Sequence, residues 1–192
     1  MKSELLRKSI HILIALAPTL AAIDKSNTAL FLMTGALFYA CLEALRFAGF
    51  SPPLVSSVTN TVIRGRKHGH FELGPVTLAL GALLAILLFP PPAAAVGIYI
   101  LAFADSAATL TGKFFGRIRP VFLRGKSLEG SLACFAVAAL ICFLVFGDWR
   151  VAVATGVVAM SVEAFSVRDF DNLLLPLAAG LTATLAASAF LL

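Results

Sequence analysis

The sequence predicts an all-α fold, a polytopic membrane helix bundle of about seven transmembrane helices with its N-terminus in the cytoplasm. Three observations carry that expectation. Of 192 residues, 60% are hydrophobic and only 13% are charged, against roughly 25% charged in a soluble domain, and the mean hydropathy is +0.97. The apolar residues form blocks of roughly 17–20, the length that crosses a hydrocarbon core of about 30 Å as a helix. When the blocks alternate across a membrane, the basic residues gather on one side.

The blocks fall at residues 9–23, 27–47, 73–89, 93–115, 128–146, 151–165 and 173–192. The first is short and extends back through Glu4-Leu5-Leu6. Its basic start and Ala15-Leu16-Ala17 suggest a signal peptide, but the polar face described below favours a retained span. Pro90-Pro91-Pro92 cannot continue a helix and predicts a tight turn before the fourth span. Ser51-Pro52-Pro53 resembles a cap followed by helix-starting prolines. Leu54, Val58 and Val62 then recur every four residues, predicting a short interfacial helix over about 53–64. Residues of about 116–127 form a basic cytoplasmic loop, and the whole chain, 1–192, reads as one integral membrane domain. Cys41, Cys134 and Cys142 lie in apolar spans, with spacing that fits neither zinc nor a disulfide framework.

With the N-terminus inside, thirteen of the fifteen Lys and Arg residues face the cytoplasm, leaving Lys25 and Arg150 outside. Eight of the ten acids lie toward that same side. Anionic lipid would attract the bases but has no use for the acids. Carboxylates at or inside the membrane boundary need a partner or a cation. Acids for metal and bases for phosphate, on one face, describe a nucleotide–magnesium site.

Glu4, Arg7, Lys8 and His11 follow an i, i+3, i+4, i+7 pattern and share one helix face. Asp105 heads a stripe of small residues, Ala108, Gly112 and Gly116, where a phosphate chain or another backbone can approach. Its carboxylate well inside a span suggests a magnesium ligand. Lys126 and Ser127 are placed to hold phosphate, just before the fifth span, where a helix N-terminus favours anions. Gly125-Lys126-Ser127 is not a P-loop, because Pro120 stands where its first glycine belongs. Glu129 and Gly130 follow at once, and Glu163 lies deep in the sixth span. Asp171 and Asn172 open the seventh. His68-Gly69-His70-Phe71-Glu72 is too local and too basic a cluster for a metal site.

Taken in order, these blocks resemble the CTP-dependent membrane lipid kinase family of dolichol kinase, phytol kinase and fungal-type diacylglycerol kinase. The resemblance rests on Glu4-x-x-Arg7-Lys8-x-x-His11, Asp105-x-x-Ala108-x-x-x-Gly112-x-x-x-Gly116, Lys126-Ser127-x-Glu129-Gly130-Ser131, and Glu163 with Asp171-Asn172-Leu173-x-x-Pro176. Ala104 replaces a glycine usual in relatives, and Phe170 separates Asp169 from Asp171 where many have adjacent acids. The resemblance implies transfer of the γ-phosphate of CTP to the hydroxyl of a membrane lipid alcohol, whether polyprenol, phytol-like or diacylglycerol. It implies Mg²⁺ held by Asp105 and Asp171, with Glu129 or Glu163 as further ligand or base. Arg7, Lys8, Lys126, Ser127, Lys113 and Arg117 would bind phosphates, while His11 and Asn172 would orient the nucleotide or the acceptor. Expected partners are CTP, the lipid alcohol and the bilayer, with no nucleic acid, and the site faces the cytoplasm. A phosphatidate cytidylyltransferase and an ion-coupled transporter are the alternatives, the latter weakened by the lack of an outer polar path.

Overall fold

The computed structural model describes residues 9, 11–49, 72–123, 125–166 and 170–191. The expected interfacial helix over 53–64 lies outside them, as do Glu4, Arg7, Lys8, His68, His70 and Asp169.

Among the described residues there are seven helices and no strand: α1 (His11–Ile23), α2 (Lys25–Phe47), α3 (Gly74–Leu88), α4 (Pro91–Phe114), α5 (Leu128–Phe146), α6 (Trp149–Phe165) and α7 (Asp171–Phe190). Each corresponds to one predicted block. Four of them, α2, α4, α5 and α7, are long and apolar enough to cross a membrane, and α1 and α3 are shorter apolar helices.

The boundaries follow from single residues. Pro18 has no N–H to give the carbonyl of Ile14, which accepts instead from Ala17, so residues Ile14–Leu16 tighten into a 3₁₀ turn. Asp24 is extended, and its carboxylate caps α2 by accepting from the Asn27 backbone at 2.9 Å. The fourth helix begins at Pro91, two residues earlier than expected, because prolines fit a first turn, where their missing N–H has no partner to lose. Ser127 caps α5 by accepting from the Gly130 backbone at 3.1 Å. Gly147, at φ +71°, ends α5 in the left-handed conformation that glycine allows. Asp148 then caps α6 through the backbone N–H groups of Arg150 and Val151.

Helix α4 is the centre, packed against α1, α3, α5 and α7. Two-thirds (67%) of its most apolar stretch is buried, against 28% or less for the other long helices. The interior is built of small residues: Ala93, Ala104, Ala108, Cys134, Ala138, Ala159, Ala179 and Ala183 are all buried. Large side chains such as Phe31, Leu37, Leu132, Leu144, Leu181 and Leu185 face outward. Small inside and large outside is the pattern of helices packed in lipid, where burying leucine gains nothing over exposing it to acyl chains. In water an apolar surface of that extent would drive association.

Glycines allow the closest crossings. A Cβ on Gly81 would lie 2.2 Å from the Asn172 carbonyl oxygen, and one on Gly97 would lie 2.5 Å from that of Pro176. Both carbonyls belong to α7, so its backbone lies directly against α3 and α4. The first contact also explains Pro176 inside a helix. Proline cannot donate to the residue four before it, so the Asn172 carbonyl loses its helical partner and is packed against Gly81 instead.

Two outcomes follow. Gly81→Ala lowers stability by about 1–3 kcal/mol through overpacking, while Gly35→Ala, with nothing within 4 Å of the new methyl, leaves it unchanged or higher. Thermal unfolding of the two variants in the same detergent checks this, and equal behaviour contradicts the packing. The second concerns the α6 cap: hydrogen bonding from Arg150 lowers the Asp148 pKa to about 2, below its unfolded value near 3.9. The cap's contribution is therefore complete above about pH 4 and lost as pH falls through about 2. The Tm gap between the parent and Asp148→Ala should shrink over that window and stay level above it.

Candidate active site

Among the described residues, the side chains singled out in the sequence lie toward one end of the bundle, where α1, α3, α5 and α7 begin and α2, α4 and α6 finish. On α4 a π-helical segment, Ile100–Ala104, directly precedes Asp105. Such widened turns recur at functional sites, because the extra residue re-aims the side chains around it. Asp105 is 5% exposed and His11, on α1, is 4% exposed. The His11 Nδ1 stands 3.4 Å from Asp105 Oδ2 but is not aligned for a hydrogen bond, and among the described residues it has no hydrogen-bond partner.

One and two turns past Asp105, the small-residue stripe meets α5. A Cβ on Gly130 would stand 2.7 Å from the Ala108 carbonyl, and those on Gly112 and Gly116 would stand 2.9 and 2.6 Å from Ser127 Oγ. Of the two partners expected for this stripe, a phosphate chain or another backbone, the fold places the backbone of α5 there. The close seam brings Ser127 and the N-terminus of α5 against the half of α4 that follows Asp105.

Glu163, 7% exposed on α6, reaches across to α5. Its Oε1 is 3.1 Å from Lys126 Nζ, and its Oε2 accepts from Ser131 Oγ at 3.2 Å. Lys126 also donates to the Glu163 backbone carbonyl. A buried carboxylate is tolerable only when paired and hydrogen-bonded, and both conditions hold here. Glu129 is placed differently. Its Oε1 accepts from the backbone N–H groups of Arg117 (2.9 Å) and Ile118 (3.1 Å), while its Oε2 is buried without a hydrogen-bond partner among the described residues.

In the basic loop, the guanidinium of Arg119 donates to the carbonyls of Gly112 (2.7 Å) and Gly125 (2.6 Å). It thereby fastens the loop to the end of α4. The side chains of Lys113 and Arg117 are exposed at the rim. Asn172 donates from its amide to the Gly74 carbonyl (3.2 Å) and to Thr77 Oγ1 (3.3 Å), joining the starts of α7 and α3. Asp171 Oδ1 accepts from the Asn172 backbone. Beside the site, the fully buried Glu43 is clamped by Arg46 at 2.5 and 2.8 Å and accepts from the Glu72 backbone at 2.9 Å.

Ser131, Thr77 and Arg119 were not singled out as site residues in the sequence. Their partners lie 32, 95 and 7 residues away. Ser131 carried a local signal in following Glu129-Gly130, and Arg119 in lying within the basic loop. Among the described residues no three of His, Cys, Asp and Glu come together as a metal cage. The oxygen donors present suit a hard cation that takes one or two protein carboxylates and draws its remaining ligands from phosphates and water, as magnesium does.

No family model matches the chain, and no solved structure matches it. A CTP-dependent diacylglycerol kinase of Eremothecium gossypii is 32% identical over 76% of this chain and 47% of its own length. A phytol kinase of Synechocystis is 39% identical over 48% of this chain and 44% of its own. An uncharacterised protein of Methanocaldococcus jannaschii is 29% identical over 90% of this chain and 88% of its own. The chain thus spans about half the length of the kinases just named. The relatives whose names state an activity support the CTP-dependent lipid kinase family, which the motifs of this chain resemble.

Proposed function

We propose that this protein transfers the γ-phosphate of CTP to the hydroxyl of a membrane lipid alcohol, at the polar end of the bundle and on the cytoplasmic side. The observation that carries the reading is the buried Asp105 beside His11, a carboxylate and an imidazole inside an apolar helix bundle. Ionisable groups at that depth are expensive and tend to be functional. The relatives whose names state an activity are kinases, which favours this reading over a cytidylyltransferase or a transporter.

Phosphoryl transfer asks mainly for positioning and charge neutralisation. Asp105 and Asp171 would hold magnesium, and the unpartnered oxygen of Glu129 suits it as a further ligand. Bound there, magnesium would offset the charge of the β- and γ-phosphates. The exposed Lys113 and Arg117 at the rim, together with Arg7 and Lys8, would receive the incoming nucleotide. Ser127 and the α5 N-terminus offer a hydroxyl and a positive dipole end to a phosphate. Lys126 is held by Glu163, whose other oxygen accepts from Ser131, at the edge of this region, fixed in direction before the nucleotide arrives. The unpartnered Nδ1 of His11 is suited to orient the acceptor hydroxyl. Asn172, with its amide engaged by Gly74 and Thr77, would act by fixing Asp171 at the start of α7. The lipid would approach sideways through the bilayer, and soluble CTP from the aqueous phase.

Asp105→Asn should abolish transfer, by at least about a hundredfold, with normal membrane insertion and folding; near-normal turnover would remove Asp105 from the chemistry. Lys126→Met leaves Glu163 buried without its cation and should cost about 1–3 kcal/mol of stability. Adding Glu163→Gln should restore the melting temperature but not the activity. If the double variant regains both, the pair serves only the fold.

A further inference from the structure

At the end of the bundle opposite the polar site, a cavity of about 390 Å³ opens between α1, α3 and α4. Its volume lies in the range of small-molecule pockets, roughly 300–1,000 Å³. Pro18 and Ala22 of α1, Ile86 and Phe89 at the end of α3, and Ala95 and Tyr99 of α4 line it, with Lys25 at its edge. The lining is mostly apolar. No residue of the polar site takes part in it, so it calls for its own occupant.

We propose that this cavity holds the far end of the hydrocarbon chain of the acceptor lipid. The inference rests on the kinase reading and extends it to the chain that the enzyme accepts. Two of the three walls belong to the helices that carry the reacting end: His11 is on α1 and Asp105 is on α4, and the same helices line the cavity. From Asp105 back to Ala95 and Pro91 the helix rises roughly 15–21 Å at 1.5 Å per residue. One leaflet of a bilayer with a core of about 30 Å is about 15 Å thick. A lipid whose hydroxyl sits at Asp105 therefore enters the cavity only if its chain reaches past the bilayer midplane. Shorter chains end before it.

The physical basis of selection is shape. A chain in lipid is already in an apolar medium, so the cavity gains no hydrophobic driving force by taking it in. Filling the cavity therefore removes room for long chains and leaves short ones untouched. Ala95 is half-buried and Ala22 exposed, so a larger side chain at either position projects into the cavity without entering the core.

Two measurements test the proposal. In the first, Ala95→Phe and Ala22→Phe are assayed with prenyl alcohols of increasing length. The expected result is a fall of about tenfold in kcat/KM for the longest alcohols, with short ones unchanged. Equal losses at every length, or no loss at any, would overturn it. In the second, a long prenyl alcohol with a photoreactive group at its chain terminus is bound to the parent protein in bilayers. Labelling should fall on residues 18–22 or 86–99 and be competed by the unlabelled alcohol. Labelling elsewhere, or competition by bulk phospholipid alone, would overturn the assignment. Labelling in the cavity without phosphorylation of any alcohol would leave the chain site standing and defeat the kinase reading.

Discussion

A carboxylate inside an apolar helix bundle has to be matched by a cation, a hydrogen-bond donor or a ligand, and the architecture of this protein is arranged around that requirement. Glu43 is matched by Arg46 and the Glu72 backbone, and Glu163 by Lys126 and Ser131. Both matches are local neutralisations that leave little for a substrate to complete. Asp105 stands 3.4 Å from the His11 Nδ1, which has no hydrogen-bond partner among the described residues, and Glu129 uses one oxygen on the loop backbone while its other is buried without such a partner among them. The buried oxygen of Glu129 and the His11 Nδ1, both without a hydrogen-bond partner among the described residues, mark the proposed reacting centre.

The approach of the helices makes this possible. Carboxylates on α4 and α6 reach partners on α1 and α5 because glycine and alanine let the backbones come close. Gly130 against Ala108 sets the depth of the α5 N-terminus beside α4. Gly81 and Gly97 set the position of α7, and with it Asp171 and Asn172. The stripe of small residues after Asp105 is thus a packing seam that brings Ser127 and Lys126 to the polar end. Arg119, engaged by two carbonyls, does the same for the loop between them.

Much of this was legible in the sequence. The seven apolar blocks became seven helices, because single residues with strong local preferences, Asp24, the prolines at 90–92, Ser127 and Asp148, mark their ends. Among the described residues, the placing of Glu43, Arg46, Asp105, Lys126, Glu129, Glu163 and Asp171 toward one end was legible from span alternation. The pairings were not. Lys126 finds Glu163 at a separation of 37 residues, and Asn172 finds Thr77 at 95. Neither periodicity nor charge pattern specifies which helix lies beside which. The π-helical segment before Asp105 has no local sequence signature either, and the cavity between α1, α3 and α4 depends on how three separate helices splay.

The most direct test of the central claim is a comparison of two labels on the same substrate. The purified protein, in bilayers with magnesium, is given CTP labelled either at the γ- or at the α-phosphate, with polyprenol, phytol, diacylglycerol and phosphatidate as acceptors. The account predicts that γ-label enters an alcohol and that α-label enters no lipid. Entry of the α-label into lipid with phosphatidate present, or the absence of label from every lipid, would contradict it.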